Sequence, residues 1–227
     1  MFIRMKKLVI ILITILSCNI CAKAQDNTSS KRRTTTIKVN PTTLINELDL
    51  YLEQELSSKM SLEIGITGIY TDYPDYVLSK RIDIGQKKPN ITTEQFVDGI
   101  GFGVRAGLRW YIFAPEGTQH ASGTYFQPNL FYKRVFYPAE DYVFNNTTYK
   151  EDAHKDVYGI QLLLGRQYRR QRLVFDPYIG VGLRAKVYRY DNYTEVDNNM
   201  LRKDRGQLVS ILPSLHLGVK VGLNLKN

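Results

Sequence analysis

The chain has 227 residues, with 31 Lys and Arg against 22 Asp and Glu, a formal charge of +9, and 11% aromatic residues. Beyond residue 24 no run approaches the ~18 consecutive apolar residues of a membrane-spanning helix. The basic surplus is dispersed, its longest run being Lys31-Arg32-Arg33. The clustered basic, aromatic-studded surface of a nucleic-acid binder is therefore not expected, and neither is a nucleic-acid partner.

Arg4, Lys6 and Lys7 precede an apolar stretch from Leu8 to Leu16, and Ala22-Lys23-Ala24 offers a small-x-small cleavage site. This predicts a signal peptide over residues 1–24, removed before Gln25. The apolar stretch is too short to serve as a spanning anchor. The alternative is a lipoprotein signal, since Ile15-Leu16-Ser17-Cys18 loosely resembles a lipobox. Cleavage after Ala24 takes away Cys18 and Cys21, and removes Arg4, Lys6, Lys7 and Lys23, lowering the surplus from +9 to +5. The exported chain is then expected to have no disulfide, thiolate metal site or cysteine nucleophile. Residues 25–33 read as a flexible mature N-terminus and 34–227 as one domain.

Within that domain, eight strands are predicted, over 34–41, 45–56, 59–71, 98–113, 124–137, 155–169, 173–190 and 207–225. The first rests on Ile37 and Val39 alternating with Thr36, Lys38 and Asn40 before Pro41. The second and third carry Leu48, Leu50 and Leu52, then Leu62, Ile64 and Ile66, on one face. The fourth sets Phe102, Val104, Ala106, Leu108 and Trp110 against Gly103, Arg105, Gly107 and Arg109. The fifth and sixth are weaker, with Phe126, Pro128, Leu130 and Tyr132, then Tyr158, Ile160, Leu162 and Leu164. The last two are the clearest: apolar residues occupy every second position from Leu173 to Val187 and again from Val209 to Leu225.

A strand turns alternate side chains to opposite faces, so each run has one apolar and one polar side. Several runs exceed ordinary strand length but suit the ~9–11 tilted residues that cross a bilayer. Connections after strands two and six are very short, whereas those after strands three, five and seven are long and polar, the asymmetry of outer-membrane proteins. The fold class expected is all-β: an eight-stranded antiparallel transmembrane β-barrel with up-and-down meander topology. A soluble lipocalin-like barrel, with the apolar faces turned inward around a ligand, is the alternative. Trp110, Tyr111 and Phe113 at one end, and Tyr70, Tyr73, Phe136, Tyr137, Tyr188 and Tyr190 at the other, are expected near the two interfaces.

If the apolar face is outward, the inner face carries Glu47, Asp49, Glu53, Glu55 and Glu63 from strands two and three. Arg105, Arg109, Lys133, Arg184, Lys186 and Lys220 come from strands four, five, seven and eight. These charges are expected to pair across an interior just wide enough for side chains to fill it, making a plug with no open pore. Inward glycines would leave room for the long basic side chains.

This pattern resembles the small OmpA/OmpX-type outer-membrane barrels. Lys38-Val39-Asn40-Pro41, Leu50-Tyr51-Leu52-Glu53-Gln54-Glu55-Leu56 and Met60-Ser61-Leu62-Glu63 are similar to a bacterial family of small outer-membrane barrels without assigned function. The resemblance implies the outer membrane of a gram-negative bacterium, with outer-membrane lipid, periplasmic chaperones and the barrel-assembly machinery as partners. Many such barrels end in an aromatic residue, whereas this chain ends Leu225-Lys226-Asn227.

For chemistry, Ser214 and His216 share a face, and with an inner acid such as Glu63 they would form a hydroxyl-activating set. A hydrogen-bonded filler histidine is the plainer reading. Gly99-x-Gly101-x-Gly103 and Gly180-x-Gly182 lie inside strands with no helix following, so no dinucleotide site is expected. No catalytic residue, cofactor or metal is assigned. Tyr73, Tyr76, Tyr142, Tyr149 and Tyr193, in loops over 72–97, 138–154 and 191–206, are the candidates for surface contacts. The expected function is a non-enzymatic outer-membrane protein serving envelope structure or surface contacts; a lipid-modifying acyl hydrolase stands as alternative and a small-solute channel third.

Overall fold

A computed structural model of the chain describes residues 34–71, 81–83, 99–113, 121–196 and 200–225. The predicted signal peptide, the segment 25–33, Tyr73 and Tyr76 lie outside the described residues. The strands are β1 (Thr35–Val39), β2 (Glu47–Ser57), β3 (Met60–Ile69), β4 (Arg81–Asp83), β5 (Ile100–Phe113) and β6 (Gly123–Phe136). They continue with β7 (Glu140–Phe144), β8 (Thr147–Glu151), β9 (Ala153–Arg170), β10 (Leu173–Val196) and β11 (Met200–Leu225).

Eight of these form an antiparallel ring in sequence order: β1, β2, β3, β5, β6, β9, β10 and β11, with β11 returning to β1. The pairing Thr35↔Leu225 through Val39↔Val221 closes it. β4 pairs with Ser214–His216 of β11, along the edge that β1 leaves uncovered, and β7–β8 is a separate hairpin. The connections Ser58-Lys59 and Gln171-Arg172 sit at the same end as Thr34 and Leu225, where Asn224 N–H donates to the Arg172 carbonyl and Glu55 N–H to that of Thr34. At the opposite end β1 and β2 are joined through a 3-10 turn at Pro41–Thr43, whose start is capped by the Asn40 side chain accepting from Thr42 N–H.

Burial is inverted relative to a water-soluble protein. Leu50, Ile64, Ile66, Ile160, Leu183 and Ile211 all point outward and are exposed, Ile66 to 58% and Ile211 to 69%. Lys38, Asp49, Glu53, Arg109, Asp176 and Lys220 are enclosed by the ring. The period-2 pattern fixes this partition, because a strand of one register cannot exchange its faces without slipping.

Boundaries near the open end differ from the pattern-based expectation. The last two ring strands run on past 190 and start before 207, so the segment expected as a loop over 191–206 is largely a continuation of the β10–β11 ladder up to Val196↔Met200. Arg202, Lys203, Asp204 and Arg205 make both faces polar there, so hydrophobic periodicity is silent while backbone pairing persists. Within 138–154, Asn145 and Asn146 take φ of 48° and 59°. Two successive left-handed residues make the tight turn of a hairpin, which asparagine tolerates. Tyr111 and Tyr137, expected near the interfaces, point into the ring and are buried, whereas Trp110 and Phe113 do face outward. Their position in the alternation explains it: Tyr111 follows Arg109 on the inner face, and Tyr137 follows Val135.

Candidate functional site

The ring interior is lined by charged and hydrogen-bonding side chains that are almost fully buried. At its centre six charges from six strands meet. Lys38 of β1 contacts Glu53 of β2 and lies 2.8 Å from Asp176 Oδ2 of β10. Arg109 of β5 reaches Asp176 Oδ2 at 2.7 Å through Nη1 and binds Glu63 of β3 through Nη2. Lys220 of β11 binds the same Glu63. Three cations thus face three carboxylates, and the cluster is neutral. Polar side chains take up remaining valences: Tyr125 donates to Asp176 at 2.6 Å, Gln127 accepts from Arg109 Nε at 2.8 Å, and Ser61, Tyr111 and Gln167 donate to Glu53. The Arg109 guanidinium also stacks 4.1 Å from the Tyr125 ring centroid. A buried charge is tolerated when it is paired and its other lone pairs and protons are satisfied; this cluster meets both conditions.

Two further pairs surround it. Arg105 donates to Asp49 Oδ1 at 2.8 Å and to the Tyr51 hydroxyl at 2.9 Å, and Lys133 binds Glu47. Glu55 closes the short-turn end, accepting from Thr34 and from Ala121 N–H. Arg184 and Lys186 of β10 are buried in the interior but outside the six-charge cluster. All eleven inner-face charges named from sequence therefore face inward, though they do not form one set. Lys38 and Asp176, at the centre of the network, were not among them. Both were readable: Lys38 alternates with Ile37 and Val39, and Asp176 stands between Phe175 and Pro177 on the polar face. Assigning acids to two strands and bases to others passed over a base on the first strand and an acid on the seventh.

Glycines make the packing feasible. A Cβ at Gly103 would stand 2.8 Å from Lys133 Cγ, and one at Gly222 would stand 2.6 Å from Lys38 Cγ. The basic stems occupy the space that side chains at those positions would fill.

Ser214 and His216 do meet, Oγ to Nε2 at 2.8 Å, both buried. The acid expected beside them does not join: Glu63 is bound by Arg109, Lys220 and Gln127. His216 Nδ1 faces Gln161 Nε2 at 3.3 Å, and Asn129 donates to Gln161 Oε1 at 3.1 Å, which orients the amide NH2 toward the ring. In the tautomer that this amide orientation favours, the imidazole accepts at Nδ1 and donates from Nε2 to Ser214. Activating a hydroxyl requires the reverse.

Of the loop tyrosines, Tyr142 and Tyr149 are paired positions across β7–β8, and the Tyr149 ring lies 5.2 Å from that of Tyr193 on β10. Lys203 packs 5.5 Å from the Tyr193 ring and 2.9 Å from Asp191, whose hydrogen bond raises the lysine above its ordinary value. Among the described residues no group of three or more His, Cys, Asp or Glu is placed to hold a metal ion, and no helix is long and apolar enough to cross a membrane. No protein-family model and no curated protein sequence matches the chain.

Proposed function

We propose that this protein is a non-enzymatic integral protein of the bacterial outer membrane. Its ring is an eight-stranded transmembrane β-barrel with a side-chain plug, and it serves envelope structure or surface contacts through the hairpins and loops at the long-connection end. The observation that carries this reading is the inverted burial: a belt of outward Leu, Ile and Val around an enclosed ion network. Complete burial of such a side chain is worth about 1.5–3 kcal/mol and roughly half of each remains exposed, so the belt as a whole favours an apolar surround. A soluble ligand-binding barrel would favour the opposite arrangement, with aliphatic residues lining the interior and charges turned to water. The dense interior pairing supports a plug, and the polarity of the Ser214–His216 contact speaks against acyl transfer.

The test is a heat-modifiability gel on protein taken from purified outer membranes. Unheated and boiled samples should migrate differently, and extraction should require detergent. Release without detergent and an unshifted band would overturn the reading. In planar bilayers the folded protein should give no stepwise ion conductance; reproducible steps would overturn the plug.

A further inference from the structure

A second ion cluster lies on the outward face. Asp156 of β9 stands directly opposite Arg134 of β6, and shares its face with the exposed Tyr158 and Ile160. Arg134 donates to its carboxylate from Nε at 2.7 Å and Nη2 at 3.0 Å, Tyr132 donates at 2.8 Å, and Arg189 of β10 donates from Nη1. Asp156 is fully covered, while the Arg134 and Arg189 side chains remain 34% and 41% exposed. One arginine would neutralise the aspartate; two leave a net positive charge. Arg134 Nη1 and Arg189 Nε and Nη2 are not used on Asp156.

Two features set the level of this cluster. On one side outward aromatic rings crowd together, Tyr132 and Tyr158 at 5.1 Å and Phe102 at 6.4 Å from Tyr132. Such rings mark the headgroup zone of membrane strands. On the other side Asp191 takes Lys203 at 2.9 Å and Arg205 at 3.5 Å, again two cations to one carboxylate. Around Asp156 the outward face therefore passes from aliphatic (Ile160) to aromatic (Tyr132, Tyr158) to cationic (Arg134, Arg189), with the exposed Phe136 and Ile100 alongside on β6 and β5.

We propose that Arg134 and Arg189 bind the phosphate of a lipid headgroup in the leaflet at the long-connection end, with Asp156 as the residue that positions the two guanidiniums. Lys203 and Arg205 extend the cationic surface toward solvent. The proposal rests on the membrane reading above. The planar guanidinium fork matches phosphate oxygens bidentately, and at the headgroup level its attraction for an anion is less screened than in bulk water. The ligand class is an anionic phosphate on a lipid, not a free anion, because the aromatic rings beside the cations would rest against acyl chains.

The experiment uses the full mature chain folded in dodecyl maltoside, with bound lipid counted by native mass spectrometry. The probes are bis-phosphorylated lipid A, the same lipid with its phosphates removed, and inorganic phosphate. Wild type should retain the phosphorylated lipid and discriminate against the dephosphorylated one. R134Q/R189Q should bind it roughly thirtyfold more weakly, the scale for two interfacial cations. R202Q, an exposed side chain bonded to Asp204, should bind as wild type does. Equal binding of the two lipids, equal binding by the double variant, or displacement by equimolar inorganic phosphate would each overturn the proposal. If the double variant does not fold, R134Q and R189Q made singly carry the test: each should bind the phosphorylated lipid about fivefold more weakly, and wild-type binding by both would overturn the proposal. Every sample is also run unheated and boiled. A retained shift without phosphate-dependent binding overturns the lipid site alone, whereas a wild type that is soluble without detergent and unshifted overturns the membrane reading with it.

Discussion

Asp176 and Asp156 have nearly the same partners and opposite surroundings. Each accepts from two cationic side chains and one tyrosine hydroxyl: Lys38, Arg109 and Tyr125 for the first, Arg134, Arg189 and Tyr132 for the second. Inside the ring, Glu53 and Glu63 complete the neutralisation, and no cation of the cluster retains spare charge. Outside, the second arginine is left over. The same local motif acts as a closed strut where charge is balanced and as an open receptor where it is not. What separates a structural ion cluster from a binding surface here is the count of charges around it, more than the geometry of its central carboxylate.

The sharpest way to break this contrast is to neutralise each aspartate in turn. Asp176→Asn leaves Lys38 and Arg109 short of a buried counter-charge and should cost about 3–5 kcal/mol. That loss should appear as a lower urea midpoint of detergent-folded protein or the absence of the compact unheated band. A smaller effect comes from Val181→Arg, in the middle of the outward run of β10. If that face meets hydrocarbon the change should cost ~2–4 kcal/mol, measured by refolding into lipid vesicles; a neutral result would mean the outside is wet and the contrast misdrawn. Asp156→Asn should have the smallest effect on stability, within about 1 kcal/mol, because both arginines reach solvent. A loss as large as that for Asp176→Asn would show the outer cluster to be a strut as well.

Much of this could be read from the chain before any coordinates. The inward and outward partition follows from a period of two, and the eleven inner charges, the glycines beside Lys133 and the short turns at one end all derive from it. Pairing partners did not, because who meets whom depends on strand register. Arg134 and Asp156 are recognisable as outward residues, but only the opposition of β6 and β9 brings them together. Over 138–154 and 191–206 hydrophobic periodicity reads as loop although much of the backbone there is paired; Asn145-Asn146 is the available signal for the first hairpin. That Ser214 and His216 share a face follows from the period of two; that they meet at 2.8 Å does not. The direction of their hydrogen bond depends on Gln161 and Asn129, two strands away, and was beyond any local pattern.

The length of the last hairpin has a mechanical consequence. From Asp191↔Arg205 to Val196↔Met200 the β10–β11 ladder continues past the last pairing with β9, Tyr190↔Ala153, about six residues or roughly 20 Å along the strands. This two-stranded ribbon, held at its base by the ring and braced by Tyr149 and Glu151 against Tyr193, behaves as a propped cantilever. In the membrane reading proposed above, its outer end at Val196 and Met200 would stand off from the lipid plane, and a large particle or neighbouring cell would meet it before the headgroups. Shortening it would draw that contact inward and leave the ring untouched.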